Sequence, residues 1–545
     1  DVSKFDTTNV TNMSSMFSSC SSLTVLDLSS FSTTKCSYTN MSRIFSSCSN
    51  LEILILGEEV DAIWGGYSFS NCNKLSAVIA FSNSIMKRSY RSSSYDEYVF
   101  PNATLYVRDE LVYQYNHSYS DPYDYSGVRV ESILTLNGST VARVKIGDFY
   151  SDEGVSIAGY TEEILNEKID KYCGVFRVTI NGLNIDTSIV ERNEIEYTLK
   201  YINKNGEITD LGSIKRYVSV QLPTIALYED GNLIGTYIDL GKAYNDARSG
   251  SYSEASVIEI FDDTVLYETV TIEDDKNIVI DFKGSTLTTA TDILYAIKNI
   301  GKLEIKDSVG GGVFKHSYSS MSYSYNDLYT IYNENELKIS GVEIYTIGSS
   351  YNRYAYAIYS YTDSTDANKT LEIANSYIDI YGNNTAYGVY SNKFVTSITN
   401  TEINANGSIV YGIYANHAGS YIISDSDITV ESNGNAYGIE MSDVEFDFSN
   451  INVDVLGNGD TYGIRHQTYA NGQISSANIS VDGGIGTNVY GLHCTSGSGT
   501  VTLGTNDGII DNDSLIINLS YCSLIMSDNS FAFVSASSLV CGAVL

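Results

Sequence analysis

From Ala355 to Cys494, short runs of β-branched and aromatic residues alternate with Asn/Gly turns, and one phrase returns six times. It reads Ala355-Tyr-Ala-Ile-Tyr359, Ala386-Tyr-Gly-Val-Tyr390, Val410-Tyr-Gly-Ile-Tyr414, Ala436-Tyr-Gly-Ile-Glu440, Thr461-Tyr-Gly-Ile-Arg465 and Val489-Tyr-Gly-Leu-His493. The opening tyrosines are 31, 24, 26, 25 and 28 residues apart. A second phrase interleaves with it, with Ile373, Ile398, Ile423 and Phe448 each 25 apart and followed about five positions later by Ile378, Ile403 and Ile428. This is strand and turn patterning rather than helical patterning. A coil of about 25 residues cannot bury its apolar face alone, so the period predicts a stack of coils, a parallel β-helix.

Stacking turns each sequence column into a ladder with rungs about 4.8 Å apart. Val389, Ile413, Ile439, Ile464 and Leu492 are expected to point inward. The next column has the opposite parity and is expected to point outward: Tyr359, Tyr390, Tyr414, Glu440, Arg465 and His493. The tyrosine that opens each phrase shares the parity of the inward residue, which predicts a core or corner stack. Ile305, Ile339 and Ile373 are 34 apart. Two early coils therefore carry insertions, His316 to Tyr332 and Gly348 to Asn368, whose loops are expected to lie side by side.

The N-terminal segment repeats differently. Asn12-Met-Ser-Ser-Met-Phe-Ser-Ser-Cys20-Ser-Ser-Leu23 is answered by Asn40-Met-Ser-Arg-Ile-Phe-Ser-Ser-Cys48-Ser-Asn-Leu51, and more loosely by Phe69-Ser-Asn-Cys72-Asn-Lys-Leu75. These residues resemble the BspA-like leucine-rich repeat of surface proteins, which implies a short solenoid. Pro101 to Tyr115 resembles that family's C-terminal cap, a strand and then a short helix, closing near Ile133. Between Leu134 and Gln221 the pattern changes to longer alternating strands. Asn184-Ile-Asp-Thr-Ser188, Tyr197 to Tyr201 and Arg216 to Val220 resemble the bacterial immunoglobulin-like spacer, although the usual glycine is missing from Ile189 to Asn193. After Pro223, Leu233 to Ala247 reads as a strand and a short amphipathic helix able to plug the end of the following solenoid. That order resembles right-handed β-helices of the pectate-lyase-like superfamily. The expected fold class is all-β dominated: leucine-rich repeats over 1–133, an Ig-like β-sandwich over 134–221 and a right-handed parallel β-helix over 222–545.

Composition narrows the function classes. With 66 acidic against 32 basic residues the net charge is −34, so no basic stripe is available to neutralise phosphates and nucleic acid is excluded as a partner. No apolar span long enough to insert in a membrane is present. Calcium is the sharper explanation of the acidity and solubility the plainer one. Gly457-Asn-Gly-Asp460 is at most a fragment of a calcium loop, so no cofactor or metal site is assigned. Cys20, Cys48 and Cys72 recur at one repeat position and are expected to stack as small buried side chains. The start inside a repeat and the uncapped end suggest a fragment of a larger protein.

The pectate-lyase-like resemblance implies polysaccharide lyases and hydrolases, so Glu440, Arg465 and His493, with His466 nearby, form the candidate catalytic row. Such chemistry needs a base beside a bound cation, or two carboxyls at a set separation. No second carboxylate column accompanies Glu440, and opposite charges on adjacent rungs are also what any β-ladder favours. The candidate binding strip is Tyr359, Tyr390 and Tyr414, flanked by loop residues Tyr323, Tyr325, Tyr351 and Tyr354, suited to sugars or a protein surface. The sequence thus points to an extracellular, non-catalytic cell-surface adhesin or scaffold with a surface protein or glycan as partner. The alternatives are a β-helix enzyme and a self-associating filament.

Overall fold

The structure is a computed structural model. It describes the chain apart from residues 1, 61–66, 87–102, 118–124, 126–127, 170–172, 251–253, 320–325, 364–368, 418–419, 468–469, 484–487, 495–498, 505–508, 512–516, 520–521, 527–531 and 535–545. The chain is mostly β and divides into two compact units, Asp1–Leu222 and Pro223–Leu545.

In the first unit the repeats supply a parallel sheet whose strands are Val25–Leu28, Ile53–Leu56, Ala77–Ala80, Thr104–Val107 and Arg129–Ser132. Val25 pairs with Ile53, Ile53 with Ala77 and Ala77 with Thr104, one repeat per rung. The polar side of each repeat turns through left-handed residues at matching positions: Ser15 and Ser19, Arg43 and Ser47, Tyr67 and Asn71. As expected, the cysteines are free thiols. Cys48 and Cys72 are buried and donate to the carbonyls of Phe17 and Phe45, each at 3.0 Å, and Cys20 is half-buried. Burial pushes the Cys48 thiol up to about 11 and raises that of Cys72, so these two pack rather than react. The helix Asp109–Asn116 closes the stack through buried Leu111 and Tyr115.

Residues 134–221 contain a four-stranded sheet ordered Val141–Lys145, Ile208–Gln221, Arg192–Ile202 and Val175–Asn181; the first pair is parallel and the others antiparallel. They also form a helix, Glu162–Ile169, that the strand reading omits; its signal was Leu165 and Ile169 at helical spacing after Thr161, whose hydroxyl accepts from the Ile164 amide. This sheet shares a core with the repeat strands: Ile53, Ile55, Ile79 and Phe81 pack in one cluster with Phe176, Tyr197 and Tyr201. Polar contacts join the same two parts. The Tyr201 hydroxyl donates to Asp27 Oδ2 at 2.6 Å and Arg108 Nη1 donates to the Asp210 carbonyl at 2.8 Å.

The second unit is a long β-solenoid whose strands, among the described residues, form one 29-stranded sheet. Each coil contributes to three parallel faces. One face carries Ile305, Ile339, Ile373, Ile398, Ile423 and Phe448 in register, so the 34-residue coils and the 25-residue coils stack on the same ladder. A second carries Ile378, Ile403, Ile428 and Val453, and the third carries the Tyr-Gly phrase. The expected inward ladder Val389, Ile413, Ile439, Ile464 and Leu492 is buried and in register. Burying each such side chain stabilises by about 1.5–3 kcal/mol.

The corner between the first two faces is a ladder of left-handed residues, Asn375, Asn400, Asp425 and Asn450, with φ between 46° and 51°. Asn and Asp tolerate this conformation better than other side-chain-bearing residues, and here they also bond along the stack, Asn400 to Asn375 and Asn450 to Asp425, both at 2.7 Å. The predicted plug is the helix Leu240–Asp246, whose Leu240, Ala243 and Tyr244 join the solenoid core. Lys276 Nζ donates to the carbonyls of Tyr244 and Ala247, satisfying the helix end.

Candidate functional site: a double tyrosine ladder

The opening tyrosines stack, as expected, at the edge of the core: Tyr356, Tyr437 and Tyr462 are buried, yet none joins the aliphatic cluster that fills the coil. In Ala386-Tyr-Gly-Val-Tyr390 the buried residues are Ala386, Gly388 and Val389, while Tyr387 and Tyr390 are both half-buried. Two consecutive buried residues break the alternation of a regular strand, so both tyrosines emerge on one side. The bend itself accepts Thr330 and Ala357, which hold the same buried place in earlier coils; in later coils the backbones approach closely enough to require glycine. A Cβ on Gly412 would sit 2.7 Å from the Gly438 carbonyl oxygen and 2.7 Å from Ile428, and one on Gly438 would sit 2.5 Å from the Gly463 oxygen and 2.5 Å from Val453.

The result is two tyrosine columns side by side. In the first, Tyr295, Tyr329, Tyr356, Tyr387, Tyr411, Tyr437, Tyr462 and Tyr490 stack with centroids 4.5–5.4 Å apart and planes within 4–14° of parallel. In the second, Tyr332, Tyr359, Tyr390 and Tyr414 stack at 4.6–5.2 Å. The columns meet edge to face: Tyr387 lies at 83° to Tyr390 and Tyr411 at 89° to Tyr414. Both arrangements suit the aromatic quadrupole. Ring faces are consumed within the stack, so this strip presents ring edges and hydroxyls, not the open faces expected for stacking on sugars. Burial, followed by neighbouring hydroxyls, pushes Tyr390 up to about 12, so the strip is neutral at physiological pH.

Of the expected flanking residues, Tyr354 adjoins the ladder 6.1 Å from both Tyr356 and Tyr387, with the Arg353 guanidinium over its ring. Tyr351 is half-buried in a turn, its amide donating to Ser349. Tyr323 and Tyr325 lie outside the described residues.

Glu440, Arg465 and His493 continue the second column in register, as expected. Their accessibility is not as expected: Glu440 is 3% exposed and His493 8%. Arg465 Nη1 donates to Glu440 Oε2 at 3.4 Å, and the Gln467 side-chain amide donates to Glu440 Oε1 from the segment that follows the strand. Arg465 lies over Tyr462 at 4.7 Å and Tyr437 at 5.4 Å, and His493 stacks on Tyr490 at 4.2 Å. Burial raises Glu440 to about 7 against the pull of Arg465. Burial and then the Arg465 charge lower His493 to about 4, leaving its imidazole neutral. His466 has the opposite parity, pairs with Met441 and is buried, so it does not join the row. A general acid or base must reach the proton it transfers, and Glu440 is instead engaged by two protein donors.

Among the described residues no group of three His, Cys, Asp or Glu is placed to hold a metal ion. In the candidate calcium turn, Asp460 Oδ1 accepts from the Asn488 amide and side chain, both at 3.1 Å, bracing adjacent coils. A shallow groove of about 380 Å³ on another face is lined by Asn375, Tyr377, Asn400, Glu402, Asp425 and Asp427. It escaped the sequence reading because these residues share a surface only through the 25-residue register. No described helix is long and apolar enough to cross a membrane.

No curated protein and no solved structure matches this chain. Residues 1–80 match the model of a family described as Mycoplasma protein of unknown function, DUF285.

Proposed function

We propose that this chain is part of an extracellular, non-catalytic cell-surface adhesin or scaffold, in which the solenoid presents the tyrosine strip to a surface protein or glycan. The observation that carries the reading is the row Tyr359, Tyr390 and Tyr414. Their rings are half-buried and locked by stacking, with their hydroxyls and ring edges on the outer side. A fixed row of neutral hydroxyls, repeating about every 5 Å, binds by hydrogen bonding with little side-chain ordering cost. The match of the first 80 residues to a Mycoplasma family and their leucine-rich-repeat architecture support a surface role. Sequestration of Glu440 supports the non-catalytic reading.

The test is electrophoresis through native gels cast with different polysaccharides, beside capture of proteins from a host-cell surface. The triple variant Tyr359→Phe, Tyr390→Phe, Tyr414→Phe keeps the stack and removes the hydroxyls. Retardation or capture that the variant loses supports the strip as the site; binding that survives places it elsewhere. Cleared polysaccharide, lost in Glu440→Ala, would make the solenoid an enzyme. Concentration-dependent growth in light scattering without any ligand would favour the filament reading.

A further inference from the structure

The tyrosine ladder places phenol rings in a geometry that binding does not require. Tyr356, Tyr387, Tyr411 and Tyr437 are held with centroids 4.5–4.8 Å apart and planes 4–13° from parallel. Each also meets a ring of the second column or the Arg465 guanidinium edge-on or face-on within 6 Å. We propose that this stack is an oxidative modification site, at which one-electron oxidation of the strip ends in dityrosine cross-links between tyrosines of successive coils.

Three observations carry the proposal. Entry is available through the half-buried Tyr359, Tyr390 and Tyr414, which are in ring contact with the inner column. Continuity is complete from Tyr295 to Tyr490, with no break wider than 5.4 Å. A proton acceptor stands at the column, since the Tyr329 hydroxyl donates to Asp327 Oδ2 at 3.3 Å. Fixed neighbours replace the diffusional encounter that coupling of two radicals otherwise needs.

Two phenols each lose one electron and the O–H proton, giving two phenoxyl radicals. A carbon–carbon bond forms between ring positions ortho to the oxygens, and the two displaced ring hydrogens move to oxygen to restore both phenols. The pair has lost two electrons and two protons, taken up by one hydrogen peroxide to give two waters through a haem peroxidase, which supplies the one-electron steps. The product joins adjacent rungs perpendicular to the strands.

Exposure alone predicts a different outcome. Tyr113 is 71% exposed and Tyr67 46%, whereas Tyr356 is 6% and Tyr437 7%. The whole chain would be treated with a haem peroxidase and limiting hydrogen peroxide, then digested and mapped by mass spectrometry. The expected result is a monomer two hydrogens lighter, with dityrosine fluorescence and links between Tyr356, Tyr387, Tyr411 and Tyr437. Tyr411→Phe preserves the ring stack, and in it links to position 411 are lost while the Tyr356 to Tyr387 link persists. Links confined to Tyr113 and Tyr67, covalent dimers in place of internal links, or no dityrosine at all would each overturn the proposal. The proposal is independent of any ligand for the strip.

Discussion

Replacing Gly438 by alanine tests the close approach between the later coils that carry the tyrosine ladder. The added Cβ would stand 2.5 Å from the Gly463 carbonyl oxygen, 2.5 Å from Val453 Cγ1 and 2.9 Å from Val455 Cγ2. Neither nearest neighbour is free to give. The carbonyl belongs to the adjoining coil, and Val453 is 1% exposed and β-branched, with few rotamers. Overpacking a dense interior costs about 1–3 kcal/mol, and two rigid obstacles place this case near 3 kcal/mol. Denaturant unfolding followed by the near-ultraviolet dichroism of the stacked tyrosines would read the change. Adding Val453→Ala removes the side-chain overlap but not the carbonyl one, so the double variant should recover about 1 kcal/mol through non-additivity. Because stability in a stacked solenoid is carried by neighbouring coils, hydrogen exchange should rise first in Val410 to Ile413 and Thr461 to Ile464. A Gly438→Ala protein within about 0.5 kcal/mol of the parent would refute the close-approach argument. Ala357 occupies the equivalent place in an earlier coil and is buried, so the constraint belongs to the later coils.

Other perturbations separate packing from polarity. Tyr411→Ala should cost about 3–5 kcal/mol in the same assay, while Tyr411→Phe, which keeps the stacking, should stay within about 0.5 kcal/mol. Because the folded carboxyl of Glu440 is raised from 4.5 to about 7, its stabilising protonated form is fully available below 4.5 and lost as pH rises past 7. The associated fall in stability is roughly 3 kcal/mol, and Glu440→Gln should flatten the unfolding-versus-pH curve across that window. Asp27→Ala removes the acceptor for the Tyr201 hydroxyl and the Gly174 amide, which should cost about 1–3 kcal/mol in the first unit's unfolding and leave the tyrosine signal unchanged.

Much of the fold was legible because a solenoid writes its register into the sequence. Equal spacing of Ile373, Ile398, Ile423 and Phe448 fixes which residues stack, since each coil can bury its apolar face only against the next. The cysteine column and the plug helix were legible for the same reason: a small or apolar residue recurs where the stack needs one. The helix Glu162–Ile169 was missed because its eight residues sit among strand patterns and present two core positions.

The amino-acid sequence by itself therefore determined the columns: which tyrosines adjoin, which aliphatics line the interior, and that Glu440, Arg465 and His493 follow one another along the stack. Tertiary structure decided where those columns face. The irregular step at Gly388 and its equivalents, where two consecutive residues are buried, puts both tyrosines of each phrase on one side, and it is shared by coils that carry Ala357 or Thr330 there. Glu440 is also held by Gln467, which stands beside it because the next coil continues in register, the Gln467 amide donating to the Met441 carbonyl at 2.8 Å. Periodicity is a one-dimensional property and survives in the sequence; the side a residue faces, and what covers it, are set by packing in three dimensions.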